Sequence, residues 1–403
     1  MFGRSIPLFR LAGFQVGIDW SWLILAVLIT WTLSSGVFPY YYPDLTLGVY
    51  WSMGAIAALG LFASIVLHEL AHSLVARRYH VPIRGIILFI FGGVAEMERE
   101  PDRPGVEFRI AIAGPIASFL IGLACWLLAR GAVSVGAGVA VVGVLAYLAS
   151  INVIVAVFNL VPAFPLDGGR MLRAALWHWK GSLRWATRVA STIGGGFGIL
   201  LIVLGVWRVV IGDFVGGMWW FLIGLFVRLA AQASYQHVVI REGLRGIPIR
   251  RIMTADPVAV PPGISVAQLI DDYVYRYHHK MLPVVEDGHL VGCVSMNDIK
   301  AVPRERWAAT TISKIMQPCS AATAIAPDTD AMEALSVMSR TQNGRFLVVE
   351  GDRLVGVITL KDMLKFLSVK LDLEESEKVD LRFAGLGAQE DRLSPGLNRS
   401  GSN

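Results

Sequence analysis

Residues 51–76 read WSMGAIAALGLFASIVLHELAHSLVA. The run has no proline and no formal charge before Glu69, and it exceeds the ~20 mostly apolar residues that a helix needs to cross a bilayer. Apart from His68, Glu69 and His72 it reads as a lipid-facing helix. Those three stand near its far end, where a charged side chain at depth costs about 2.5–3.5 kcal/mol even on lenient insertion scales. Three such groups on one helix need a compensating interaction.

The whole chain shares the bias of this stretch. Of 403 residues, 55% are hydrophobic and 17% charged, and the mean hydropathy is +0.57, above the apolar share of an ordinary soluble domain. A window of about 19 residues places six spans, near 18–36, 51–76, 108–129, 138–160, 190–211 and 214–233. No small-residue cleavage pattern follows the first of them, which therefore reads as a retained helix. Lys and Arg are missing from 37–50, 131–137 and 209–217, whereas 77–107 holds Arg77, Arg78, Arg84, Arg99 and Arg103. The positive-inside rule then puts both termini in the cytoplasm, in a multi-pass protein of the cell membrane. The net charge of +5 is explained by this topology and does not call for nucleic acid. Cys125, Cys293 and Cys319 have no CxxC spacing, so neither a disulfide framework nor a thiolate metal site is indicated.

From about residue 238 the long apolar runs give way to short alternating ones. A repeat of about 64 residues follows: LVGCVSMNDI at 290 is answered by LVGVITLKDM at 354, and IMTADP at 252 by KIMQP at 314. Each unit reads strand, helix, strand, strand, short helix, and two units with one apolar face each should pack as a pair. The expected division is a transmembrane part over 1–237, an α+β repeat module over 238–370 with units near 250–305 and 313–368, and a charged, partly disordered tail over 371–403. The repeats resemble a tandem of CBS domains. That resemblance implies ATP or AMP as ligands, contacted by Ser295 with Asp298 and Thr359 with Asp362, and association through the CBS pair into a homodimer. An S/T-x-x-D that only caps the following helix needs no ligand. Leu347 stands where the first repeat has Pro283, and Lys361 where the family often has a small hydroxyl residue.

Positions i and i+4 share a helix face, so His68 and His72 can offer two imidazole nitrogens to one cation, with Glu69 about 100° round the helix. H-E-x-x-H is the zincin pattern, whose glutamate is a general base and not a ligand. It arises by chance in roughly one such chain in a hundred. The alternative is a pair of hydrogen-bonded core histidines, which lipid surroundings disfavour. Zinc takes three protein ligands and keeps a fourth position open. Asp167 is the best third candidate: Pro162 and Pro165 break the fourth span beside it, and Gly168 and Gly169 allow a sharp turn that aims its carboxylate back.

HELAH at 68–72 together with NLVPAFPLDGGR at 159–170 resembles the site-2 protease (peptidase M50) family of intramembrane zinc metalloproteases, in the bacterial and archaeal branch that appends CBS domains. FGGVAEM at 91–97 and AGPIAS at 113–118 agree. The resemblance implies one Zn2+ held by His68, His72 and Asp167, Glu69 as catalytic base, and Asn159 engaging the scissile peptide or its oxyanion. It implies a polytopic α-helical membrane enzyme acting on membrane-anchored protein substrates, by regulated intramembrane proteolysis. Residues 81–97 are too short to span and rich in β-branched residues, which suggests a re-entrant β-hairpin. Ile87, Phe89, Gly92 and Gly93 are its candidates for pairing with an extended substrate. A CBS-gated transporter or channel is the competing reading; it is disfavoured because the polar constellation is concentrated in spans two and four, and spans five and six carry no part of it.

Overall fold

The computed structural model describes residues 6–90, 92–97, 99–318, 323–341 and 343–373, in two compact units that divide at Val238. The tail beyond residue 373, Cys319 and Phe91 of FGGVAEM lie outside the described residues.

In the first unit a backbone rich in apolar residues satisfies its amides internally by forming helices, as it must in lipid. Among the described residues six helices are long and apolar enough to cross a membrane: α1 Trp20–Tyr41, α2 Leu47–Arg78, α3 Pro104–Ser134, α4 Val139–Asn159, then, after a shorter helix α5 Asp167–Lys180, α6 Leu183–Val210 and α7 Phe214–Leu244. Asp19 starts α1 by accepting from the Ser21 amide at 2.9 Å. With 32 residues, α2 is about 48 Å long. It therefore exceeds a hydrocarbon layer of about 30 Å, and Arg77 and Arg78 fall in its last turn.

The expectation of a lipid-facing α2 is corrected here. Half of its apolar window is buried inside the protein, against 22–33% for the other five. The buried stripe runs Met53, Ala57, Leu61, Ser64, His68, His72 and Ala76, the spacing of one helix face. Its small members let α1, α3 and α4 approach closely, as small residues do between membrane helices.

Four strands complete the unit: β1 Ile6–Leu11, β2 Phe14–Ile18, β3 Ile83–Phe89 and β4 Gly92–Met97 form one sheet in that order. Residues 83–97 do form a hairpin, but within a larger sheet. The alternation of 6–18 was not read as strand; its two-residue turn, with positive φ at Ala12 and Gly13, is the kind that matches strand twist. Strand β2 runs parallel to β3, Val16 opposite Ile86 and Gly17 opposite Ile87. On its other side β3 meets β4, with Ile87 opposite Val94 and Phe89 opposite Gly92. Ile87 is thus flanked by partners on both sides, which removes it as a pairing residue for a substrate. Phe89 belongs to the same inner strand, and the free edge on this side is β4.

In the second unit the two repeats interlock. Strands β6 Met281–Glu286 and β7 His289–Ser295 form the hairpin of the first repeat, and β9 Arg345–Glu350 and β10 Arg353–Thr359 that of the second. β5 Thr254–Ala255, at the start of the first repeat, pairs with β10 of the second. Gln317, near the start of the second repeat, bridges to Cys293 in β7 of the first. Within the second repeat, β8 Ala324–Ile325 lies parallel to β9, as Val260 does to Val284 in the first. Each repeat buries its own cluster, around Leu269, Leu282 and Val284 in the first and around Ala334, Phe346 and Ile358 in the second. Each sheet is extended by residues from the other repeat.

Candidate metal centre

His68 and His72 project from α2 into the unit, 5% and 3% exposed. Asp167 meets them from the start of α5. The Asp-Gly-Gly segment is not the sharp turn expected from its glycines; Asp167 is the first residue of a helix, with Leu166 as its cap. The positive end of a helix favours a carboxylate there. Gly168 and Gly169 serve close approach instead. A Cβ on the first would strike the carbonyls of Leu160 and Val161, and on the second the backbone of Ala163 and Phe164. The loop that carries the two prolines therefore folds back across the helix start and fixes where Asp167 points.

The three side chains converge on one point. His68 Nε2 and His72 Nε2 lie 3.2 Å apart, and each lies 3.2 Å from Asp167 Oδ2. His72 Nδ1 is 2.6 Å from the Ile110 carbonyl oxygen. A carbonyl only accepts, so Nδ1 carries the proton and the Nε2 lone pair faces inward. His68 Nδ1 lies 2.9 Å from Ser118 Oγ, a hydroxyl that can accept from it when Nε2 is left free for a metal. Two lone pairs and a carboxylate oxygen face one another, an arrangement that is repulsive unless a cation sits among them. Zinc bonds of about 2.0–2.1 Å in a tetrahedron separate the ligand atoms by roughly 3.4 Å. An equilateral set at 3.2 Å therefore fits one zinc-sized ion.

The outer partners were missed as functional residues, although AGPIAS at 113–118 marked the segment that supplies Ser118. That segment of α3 explains itself: a Cβ at Gly114 would lie on the inner nitrogens of both histidines, so only glycine lets α3 cross here. A second buried constellation was also missed. Arg173 on α5 donates through Nε to Glu107 Oε1 at 2.6 Å and pairs with it again through Nη2, while its guanidinium stacks 5.0 Å over Phe164. This pins α5 to α3 six residues, about one and two-thirds turns, from Asp167.

Glu69 and Asn159 line the same cavity, of about 630 Å³, as the three candidate ligands. Its wall also takes Phe89, Gly92 and Gly93 from the hairpin and Trp219, Ile223 and Phe226 from α7. A Cβ at Gly93 would come within 2.7 Å of Glu69 Cγ, so β4 passes directly over the candidate base. Ile87 lies outside this lining. In the second unit Ser295 and Asp298 bond each other, amide and hydroxyl donating to Oδ2 at 2.8 and 2.6 Å, and Thr359 and Asp362 repeat the pattern at 3.0 and 2.6 Å. Both pairs are closed as helix caps.

Two family models match successive parts of the chain. The profile of Peptidase family M50 matches residues 56–139 and 131–203, and that of the CBS domain matches 249–305 and 312–369. Rip3 of Mycobacterium tuberculosis, which bears the name of a zinc metalloprotease, is 35% identical over 367 residues, 91% of this chain and 93% of that one. The zinc metalloprotease MJ0392 of Methanocaldococcus jannaschii is 32% identical over 375 residues, 93% and 99% of the two chains. Among solved structures, the site-2 protease from Methanocaldococcus jannaschii is 30% identical, with 58% of this chain and 95% of that one covered at a TM-score of 0.41. With about a third of its residues shared over nine-tenths of its length, and a two-histidine, one-carboxylate centre inside the matched region, this chain belongs to peptidase family M50 and carries a pair of CBS domains.

Proposed function

We propose that the chain is an intramembrane zinc endopeptidase that cuts membrane-anchored proteins. The observation that carries this is the set of three ligand atoms 3.2 Å apart in one cavity with Glu69 and the β4 edge. His68, His72 and Asp167 hold the ion. Zinc, when bound there, supplies Lewis acidity, bringing the pKa of water toward about 7 and polarising a peptide carbonyl. Glu69 takes the proton of the attacking water and returns it to the leaving nitrogen. Asn159, at the end of α4, donates to the developing oxyanion. The hairpin is re-entrant on the cytoplasmic side, and a substrate helix unwinds and adds as a strand to β4. Its pairing residues are therefore Gly92 and Gly93, with Val94 and Ala95 beyond them.

Metal analysis and cleavage of a single-span reporter test this together. Wild type should hold one zinc and cleave; Glu69→Gln should keep zinc and lose about 10²–10⁴ of the rate, and Asp167→Ala should lose the zinc. Cleavage retained by Glu69→Gln, or equal zinc in Asp167→Ala, would overturn the assignment. In the same assay Val94→Pro and Ala95→Pro probe the pairing, because neighbouring strand residues turn their amides to opposite sides. One of the two should keep the sheet and still lose cleavage.

We infer further that adenine nucleotides at the CBS pair regulate the enzyme. Since both S/T-x-x-D pairs are closed on themselves, a nucleotide has to compete with existing caps, and affinity depends on that exchange. Calorimetry of the full-length protein with ATP and AMP measures it; no binding at millimolar nucleotide would remove the regulatory role.

A further inference from the structure

The cavity extends past the metal ligands. Ser64 stands one turn before His68 on the same face of α2, about 6 Å along the axis. Asn152 faces it from α4, 1% exposed in the middle of a span. Both line the cavity. Asn152 Nδ2 donates to Ser64 Oγ at 3.0 Å and to the Leu148 carbonyl oxygen at 2.8 Å. Because a carbonyl only accepts, the Leu148 contact identifies the nitrogen, and the amide oxygen points the other way. Among the described residues no donor reaches that oxygen.

A substrate helix opened for cleavage has the opposite deficiency. Its main-chain N–H groups lose their intrahelical acceptors in a region without water, where an unpaired amide is costly. An extended chain advances about 3.3 Å per residue, so 6 Å corresponds to about two residues. We propose that Asn152 is a substrate-positioning residue, whose Oδ1 accepts a hydrogen bond from an N–H of the unwound substrate about two residues from the scissile bond. Ser64 holds the amide in the required orientation. The inference rests on the intramembrane protease reading above. An interhelical tie and nothing more would make Ser64→Ala and Asn152→Leu equivalent, since each removes the same bond between α2 and α4.

The test measures binding, so that it does not depend on turnover. Full-length, zinc-loaded Glu69→Gln protein in dodecyl maltoside is titrated with a labelled single-span peptide, rich in Leu and Ala with a central Gly-Pro. A set of esters then replaces one main-chain amide at a time across its central ten residues. At one position the ester should weaken binding about tenfold with Asn152 present, and change nothing when Asn152→Leu is added. Asn152→Leu should itself weaken the parent peptide about tenfold, and Ser64→Ala less than about threefold. Equal ester costs in both backgrounds at every position, an equal loss in Ser64→Ala and Asn152→Leu, or no binding of the parent peptide would each overturn the proposal. Cleavage by protein with Glu69 intact is scored separately. Coupling without cleavage counts against the protease reading, and cleavage without coupling counts against Asn152.

Discussion

Two of the buried polar clusters of the first unit join α5 to its neighbours. In one, Glu107 and Arg173 complete each other: a carboxylate receives a guanidinium edge, and the guanidinium plane is covered by Phe164. In the other, His68 Nε2, His72 Nε2 and Asp167 Oδ2 converge at 3.2 Å, with the His72 Nδ1 proton spent outward on the Ile110 carbonyl and His68 Nδ1 turned to Ser118 Oγ. Burial is the same, but complementarity is not. A closed pair is architecture. An open convergence of lone pairs is a place for a cation, and this sign mismatch, more than the presence of buried charge, picks out the site.

The comparison can be broken in order of size. Removing one partner of the closed pair, as in Glu107→Gln, strands a buried guanidinium and should cost about 3–5 kcal/mol in detergent-induced unfolding. Replacing both, as Glu107→Leu with Arg173→Met, should recover most of that. If the double variant is as unstable as the single one, the pair does more than satisfy itself. A smaller effect is expected at the open cluster from Ser118→Ala. This variant leaves all three ligands and removes the partner of His68 Nδ1, so zinc affinity by competition with a chelator should fall about 10–100-fold, or ~1.4–2.7 kcal/mol. Unchanged affinity would mean that packing against α3 alone sets the ring.

Much of this was legible without coordinates, and the failures share a cause. Six spans follow from the length and hydropathy of local runs, and the repeat in the second unit from self-similarity; both are properties of a single window or a pair of windows. The hairpin at 83–97 was legible for the same reason. Its neighbours were not: β2 inserts beside Ile87 from residues 14–18, and no local pattern says which edge of a hairpin another strand will cover. Gly168 and Gly169 suggested a turn because glycine usually marks one. Here they are small because a loop crosses them, a demand visible only when both segments are in place.

What the sequence by itself determined is what one helix or one strand can hold: His68 and His72 on a shared face because 3.6 residues make a turn, and the length of each span because lipid leaves a backbone no other acceptor. Only the tertiary structure decided what meets across elements. Asp167 arrives 95 positions after His72, Ser118 and the Ile110 carbonyl turn the imidazoles, and β4 passes over Glu69. Covalent spacing constrains neighbours along the chain, whereas contacts between helices are set by which side chains are small enough, and polar enough, to let distant segments close on the same few ångströms.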